Sequence, residues 1–240
     1  GWERADGRVP AAYFDRMRAE WDLAGRVLVN SEWSRRALVA QGVDPRKLVV
    51  VPLALEVARR PTPRLVRRGT LRILWLGLVC LRKGIPYLVE AARRLVDRDI
   101  AITVAGPLHI DLSAVRPPAN LEFVGRVTRE RAASLYGEAD VFVLPTISDG
   151  FGITQLEAMA HGVPVVATPS CGDVVTHGAD GLIVPARDPA ALAAAIASLD
   201  DDRERLAAMS VAAAATAPTF HLDRFADGVE GAIVDRTGRP

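Results

Sequence analysis

The stretch Leu71-Arg72-Ile73-Leu74-Trp75-Leu76-Gly77-Leu78-Val79-Cys80-Leu81-Arg82-Lys83-Gly84-Ile85 decides the reading of this chain. Six mostly apolar residues run into a loop bounded by Gly77 and Gly84, and an apolar-periodic segment over residues 85–96 follows. That is a buried strand, a turn and a helix. The same unit recurs downstream: residues 100–104, 121–124, 141–144 and 163–166 read as strands, and residues 129–136 and 153–160 as helices. Alternation of this kind implies a parallel sheet covered by helices on both faces, so the expected fold class is α/β, a doubly wound parallel sheet. A short strand at 182–184, Ala-rich helices over 189–215 and a last helix over 222–234 complete the pattern.

Upstream, residues 11–25 read as an amphipathic helix and 26–29 as an apolar run; Asn30-Ser31 then form a helix cap before 32–41, and a strand is expected at 48–51. This block is too short to enclose its own core and reads as the end of a second α/β domain. Pro52, Pro61 and Pro63, with the arginines between Arg59 and Arg68, make a stiff polar connector. The expected division is therefore 1–58 as the terminal part of one domain, 59–69 as linker, 70–218 as a ligand-binding domain, and 219–240 as a helix crossing back to the first.

Composition narrows the function. Half of the 240 residues are hydrophobic, enough for one large core, and 30 basic against 29 acidic residues nearly cancel. A general polyanion binder is disfavoured, nucleic acid is not an expected partner, and any phosphate site must be local. Cys80 and Cys171 are too few for a disulfide framework and read as reduced thiols, which fits a cytoplasmic setting. The chain shows neither a membrane-length apolar run nor a signal-peptide pattern, and it opens without Met in mid-pattern, as a piece of a longer protein would.

In an open parallel sheet, ligands bind beyond the carboxyl ends of the strands, where the strand-to-helix loops converge. Two loops there are unusual. The first, from Gly77 to Gly84, places Arg82 and Lys83 at a helix start, where the macrodipole disfavours cations, so both call for an anion such as a diphosphate. Lys83 is one of only two lysines, with Lys47. The second is Pro145-Thr146-Ile147-Ser148-Asp149-Gly150-Phe151-Gly152, leading into a helix that carries Glu157 and stops at Gly162 and Pro164. Asp149 and Glu157 supply carboxylates for hydroxyls, and the glycines between them expose amides suited to negative charge.

Residues 148–167 resemble the glutamate, seven residues, glutamate motif of retaining GT-B glycosyltransferases, specifically glycosyltransferase family 4. The resemblance implies that Asp149 contacts the donor sugar and that the amides from Gly150 through Phe151 and Gly152 to Ile153 contact sugar and phosphate. It implies that Glu157 binds the ribose. Gly77 with Lys83-Gly84 is similar to the family's diphosphate loop, residues 123–127, ending at Val127, to the stretch whose backbone meets the base, and residues 180–185 to a further family segment. Residues 26–51 resemble the last part of the family's N-terminal domain, and the final helix the one that packs back on it. Two departures stand out. Asp149 is one methylene shorter than the usual glutamate, and Leu78 occupies the place of a frequent arginine, for which Arg82 is the candidate substitute.

The implied activity is transfer of a sugar from a nucleoside-diphosphate donor to a hydroxyl of a saccharide or lipid-linked acceptor, with retention. Asp149, Arg82 and Lys83 are the catalytic candidates, and neither a metal nor another cofactor is required. The acceptor wall belongs to the N-terminal domain, so this chain is expected to bind donor and turn over poorly. Peripheral association of the full enzyme with the inner membrane face is compatible with this. A stand-alone nucleotide-sugar-binding module is the alternative reading. A dehydrogenase domain fits badly, because the first loop lacks Gly-x-Gly-x-x-Gly spacing. His109, His161, His177 and His221 show no metal or nucleophile-base spacing and read as surface or capping residues. Trp21, Trp33 and Trp75 read as core, the two cysteines as packing residues, and Asp200-Asp201-Asp202 as a solvated helix boundary.

Overall fold

The computed structural model describes residues 10–56, 62–63, 69–112 and 115–234. The first unit contains α1 (Ala11–Leu23), β1 (Val27–Val29), α2 (Glu32–Ala40) and β2 (Leu48–Val50). Strands β1 and β2 pair in parallel, and Val29, Val43 and Leu48 form a small core with Trp21 and Leu38 at its edge. Ser31 caps α2 as expected, its Oγ accepting from the Ser34 amide at 3.1 Å. Lys47 donates through Nζ to the carbonyl of Asp22 at 2.8 Å, near the carbonyl end of α1. Apart from Trp21, the apolar residues of α1 are not packed into a core among the described residues: no α1 residue is fully buried, and Tyr13 and Phe14 stand half exposed against each other.

The main unit runs β3 (Leu71–Leu76), α3 (Ile85–Arg94), β4 (Ile100–Ala105), β5 (Leu121–Gly125), α4 (Arg129–Glu138), β6 (Val141–Leu144), α5 (Thr154–Ala160), β7 (Val165–Ala167), β8 (Gly181–Ile183), α6 (Pro189–Asp201) and α7 (Arg203–Thr216), followed by α8 (Leu222–Val234). Its six strands are parallel in the order β5-β4-β3-β6-β7-β8. Counted within this sheet the order is third, second, first, fourth, fifth, sixth, so it reverses between β3 and β6. Alternate β3 side chains serve opposite faces. Leu71, Ile73 and Trp75 pack with α3 and α6, while Leu74 joins Phe142, Leu144, Leu156 and Met159 under α4 and α5. Asp140 fixes where β6 enters against β3: its amide donates to Arg72 O at 2.8 Å, and its carboxylate accepts from the Arg72 amide at 2.9 Å.

One expectation changes. The aspartates at 200–202 are engaged rather than merely solvated: Asp200 and Asp201 pair with Arg98, Asp200 also pairs with Arg203, and Asp202 caps α7 through the Arg205 amide. They tie the start of α7 to the loop before β4. Most of the connector expected at 59–69 lies outside the described residues. Helix α8 returns to the first unit, where a Cβ on Gly228 would stand 2.9 Å from Val51 Cγ1.

One of the close backbone approaches in the main unit involves Gly84, which adopts φ +77° and faces Pro145 so closely that a Cβ would fall on the Pro145 carbonyl. Gly42 also has positive φ, +91°, but open space around it. Gly84→Ala is expected to lose about 2–5 kcal/mol, backbone strain and overlap together. Gly42→Ala, with strain alone, is expected to lose about 1–2 kcal/mol. Urea denaturation of the two variants measures both, and equal losses would contradict the close approach.

Candidate functional site

The loops after β3 and β6 flank the point where strand order reverses, so both open on the same rim of the sheet. Their backbones are joined. Arg82 O accepts from the Ile147 amide at 2.9 Å and from Thr146 Oγ1 at 3.1 Å. In return Arg82 Nη1 donates to Ser148 O at 2.6 Å, and Lys83 Nζ pairs with Asp149 Oδ2. The loop after β7 backs the second turn: Thr168 Oγ1 donates to Thr146 O at 2.6 Å, and the Asp149 amide donates to Ser170 O at 2.8 Å.

The sequence assigns Arg82 and Lys83 an external anion. Within the folded chain their partners are Ser148 O and Asp149, so the second loop supplies the first one's counter-charge. Lys83 and Asp149 are mostly buried, with side chains 16% and 14% exposed, while Arg82 lies at the surface. The short Asp149 side chain reaches because its own amide is anchored to Ser170. Gly77 sits on the near side of the rim with φ +154°, and Gly106 faces it so closely that a Cβ there would fall on Gly77 O.

Gly150, Phe151, Gly152 and Ile153 carry the chain from Asp149 into α5. Among the described residues no group accepts a hydrogen bond from their four amides. The Phe151 ring takes no part in the rim: it is buried, edge-on to Phe220 at 6.1 Å, and a Cβ on Gly172 would stand 2.6 Å from it. Gln155, fully buried one turn on, donates to Phe151 O at 2.8 Å. Gly152 takes φ +71°, with Leu144 Cδ2 only 2.7 Å from where a Cβ would stand.

Glu157 is half-buried on α5, and its Oε2 accepts from the phenol of Tyr136, on α4, at 2.7 Å. Val127 comes from the loop after β5, two strands away from β3, and packs at the margin of the core that holds Tyr136, Leu144 and Phe151. The site residues therefore fall into a tight group, Arg82, Lys83 and Asp149 to Gly152, with Glu157 in the following helix and Gly77 and Val127 in neighbouring strand-end loops.

The histidines take local roles. His161 Nδ1 lies 2.8 Å from Glu157 O, His177 Nδ1 accepts from the Ile183 amide, and His221 Nδ1 accepts from the Arg224 amide. Trp75 is fully buried in the core. Among the described residues no three His, Cys, Asp or Glu side chains are grouped to hold a metal ion, and no helix is long and apolar enough to cross a membrane.

Two participants escape a reading of the sequence. Ser31 Oγ, recognisable only as a helix cap, donates to Gly150 O at 2.6 Å across 119 residues, and the Glu32 amide donates to Asp173. Tyr136, at the end of a helix, has no local cue to its bond with Glu157. Cys171, read as a packing residue, is buried near Asp149, and burial first, then that carboxylate, push its thiol up to about 12.

A thiol whose folded value lies above its unfolded value of 9.0 keeps its proton longer when folded, so stability falls as pH rises from about 9 towards about 12. Cys171→Ala is expected to make that fall shallower in denaturation at stepped pH. In the native protein at pH 8, iodoacetamide is expected to label the half-buried Cys80 and to reach Cys171 only after unfolding, read by intact mass. Labelling of Cys171 without denaturant would contradict the packing described.

Residues 70–202 match the family described as Glycosyl transferases group 1. The D-inositol 3-phosphate glycosyltransferase of Geodermatophilus obscurus is 33% identical over 237 residues, covering 87% of this chain and 52% of that protein. The chain thus spans about half the length of the curated relatives it matches. Among solved structures, Anabaena HepE in complex with UDP and glucose superposes with a TM-score of 0.76 at 17% identity, over 92% of this chain and 67% of that one. Thermosynechococcus elongatus sucrose-phosphate synthase gives 0.73 at 22% identity, over 96% and 64%. At these identities the structural likeness is one of fold, the Rossmann-like half of a GT-B architecture.

Proposed function

The chain belongs to the group 1 glycosyltransferases, and from that premise we propose that residues 70–218 bind a nucleoside-diphosphate sugar at the rim between β3 and β6. The full enzyme would transfer the sugar to an acceptor hydroxyl with retention. The observation that carries the donor site is the direct joining of the Arg82-Lys83 turn to the Ser148-Asp149 turn where strand order reverses.

In this reading the Lys83–Asp149 pair is exchanged on binding. The diphosphate takes over Lys83, and sugar hydroxyls take over Asp149, so neither charge is left buried without a partner. Charge then grows on the leaving diphosphate as the glycosidic bond breaks. Lys83, Arg82 and the amides from Gly150 to Ile153 stabilise it, in the place a metal ion takes in other transferases. Glu157 accepts from the ribose hydroxyls, and the backbone near Val127 meets the base. Residues 1–58 and the returning helix belong to the acceptor-side domain. The remaining length present in the relatives would complete the acceptor wall, so the 240 residues are expected to bind donor with little turnover.

Calorimetric titration with UDP-, GDP- and ADP-sugars tests the reading, UDP-glucose first, since HepE has also been solved with it. One donor is expected to bind, with affinity unchanged by EDTA, and Lys83→Ala and Glu157→Ala are each expected to weaken it at least about tenfold. Equal binding by native protein and both variants would sink the site. Asp149→Asn separates the roles further: it should leave the affinity for the free nucleoside diphosphate unchanged or tighter, and remove the extra affinity contributed by the sugar. Loss of both alike would rule out the exchange.

A further inference from the structure

The phenol of Tyr136 is almost completely buried, yet it is spent on a carboxylate in another helix: Oη to Glu157 Oε2 is 2.7 Å. The ring is clamped. One face stacks on His161, with centroids 5.3 Å apart and planes 21° from parallel, and Phe142 packs against it at 5.8 Å. The same His161 turns its Nδ1 to the main-chain carbonyl of Glu157 at 2.8 Å. Glu157 is therefore held at backbone and side chain by two rings that touch each other.

The direction of this hydrogen bond is fixed. Burial and the negative charge of Glu157 hold the Tyr136 phenol far above its ordinary value, so it donates and the carboxylate accepts. Among the described residues Glu157 Oε1 has no other donor. A half-buried glutamate without such a tether samples several rotamers and loses that freedom when it binds a ligand. Tethered at Oε2, it presents Oε1 in one place before any ligand arrives.

We infer that Tyr136 is a positioning residue for recognition of the donor's ribose, acting through Glu157. The inference rests on the donor reading above and adds to it a residue outside both loops. Hydrogen bonds to a fixed carboxylate strengthen affinity for a ribose carrying hydroxyls over one without them. The Tyr136–Glu157 contact thus governs sugar-hydroxyl discrimination in the nucleotide, not affinity for its phosphates.

The probes are UDP and 2′,3′-dideoxy-UDP, titrated against native protein, Tyr136→Phe, Glu157→Gln and His161→Ala. Phenylalanine keeps the ring stack and removes only the hydroxyl. Native protein is expected to prefer UDP by about ten- to a hundredfold. Tyr136→Phe should shrink that ratio towards the one shown by Glu157→Gln, while dideoxy-UDP binds all three alike. His161→Ala, which frees the ring but keeps the phenol, should give an intermediate ratio, and it decides the matter if Tyr136→Phe does not fold. A native-like ratio in Tyr136→Phe, or in His161→Ala where only that variant folds, overturns the inference and leaves the donor site standing. A native protein that binds both probes equally overturns it together with the ribose role of Glu157, and one that binds neither, nor any GDP or ADP counterpart, overturns the donor reading itself.

Discussion

The site depends on the close approach of two turns, the one ending at Gly84 and the one starting at Pro145. Because Gly84 has no Cβ, the two backbones touch, and Arg82 O can accept from both Thr146 and Ile147. That contact decides the electrostatics. Cations at the start of α3 face the unfavourable end of a helix dipole. They are tolerated because the neighbouring turn delivers a carbonyl and a carboxylate within reach of Arg82 and Lys83. The strand order makes the meeting possible, since only at its reversal do adjacent strands send their following helices to opposite faces and leave a crevice between the loops.

Burial gives the pair its consequence. An exposed Lys–Asp contact contributes little, but a partner removed from a mostly buried pair leaves a charge without compensation. Both side chains are about five-sixths covered, so any ligand that separates them must replace what each loses. A molecule carrying anionic groups next to hydroxyls does this on both sides at once; a bare phosphate serves only Lys83, and a neutral sugar only Asp149.

The framework was legible in the sequence because local patterns specify it. The β3 and β6 bounds coincide with the apolar runs, Ser31 caps α2 as its residue type predicts, and Gly162, at φ +68°, ends α5 with its amide on Met159 O. The two loops were legible as charged, glycine-bounded segments at strand ends. What was not legible is pairing at long range. Nothing near Lys83 specifies Asp149 as its partner 66 residues on, and nothing near Tyr136 indicates Glu157. The α1 pattern shows the opposite limit: a helix can be specified by its sequence while the surface that would cover most of its apolar residues is not among the described residues.

Contact between the two units bears on the amides of the second loop. A trans peptide is planar, with the carbonyl of one residue and the N–H of the next pointing in opposite directions. Ser31 holds the Gly150 carbonyl towards the first unit at 2.6 Å. The N–H of Phe151 belongs to that same peptide plane, so it must point away from the first unit, and it meets no acceptor among the described residues. A hydroxyl at the end of β1 thereby sets the orientation of an amide in the loop proposed to face the donor's charge. If the first unit shifted relative to the main one, Ser31 would release this peptide, and the Phe151 N–H would lose its aim without any change in the Lys83–Asp149 pair. On the proposed donor site, domain position and anion recognition are thus linked through a single peptide plane.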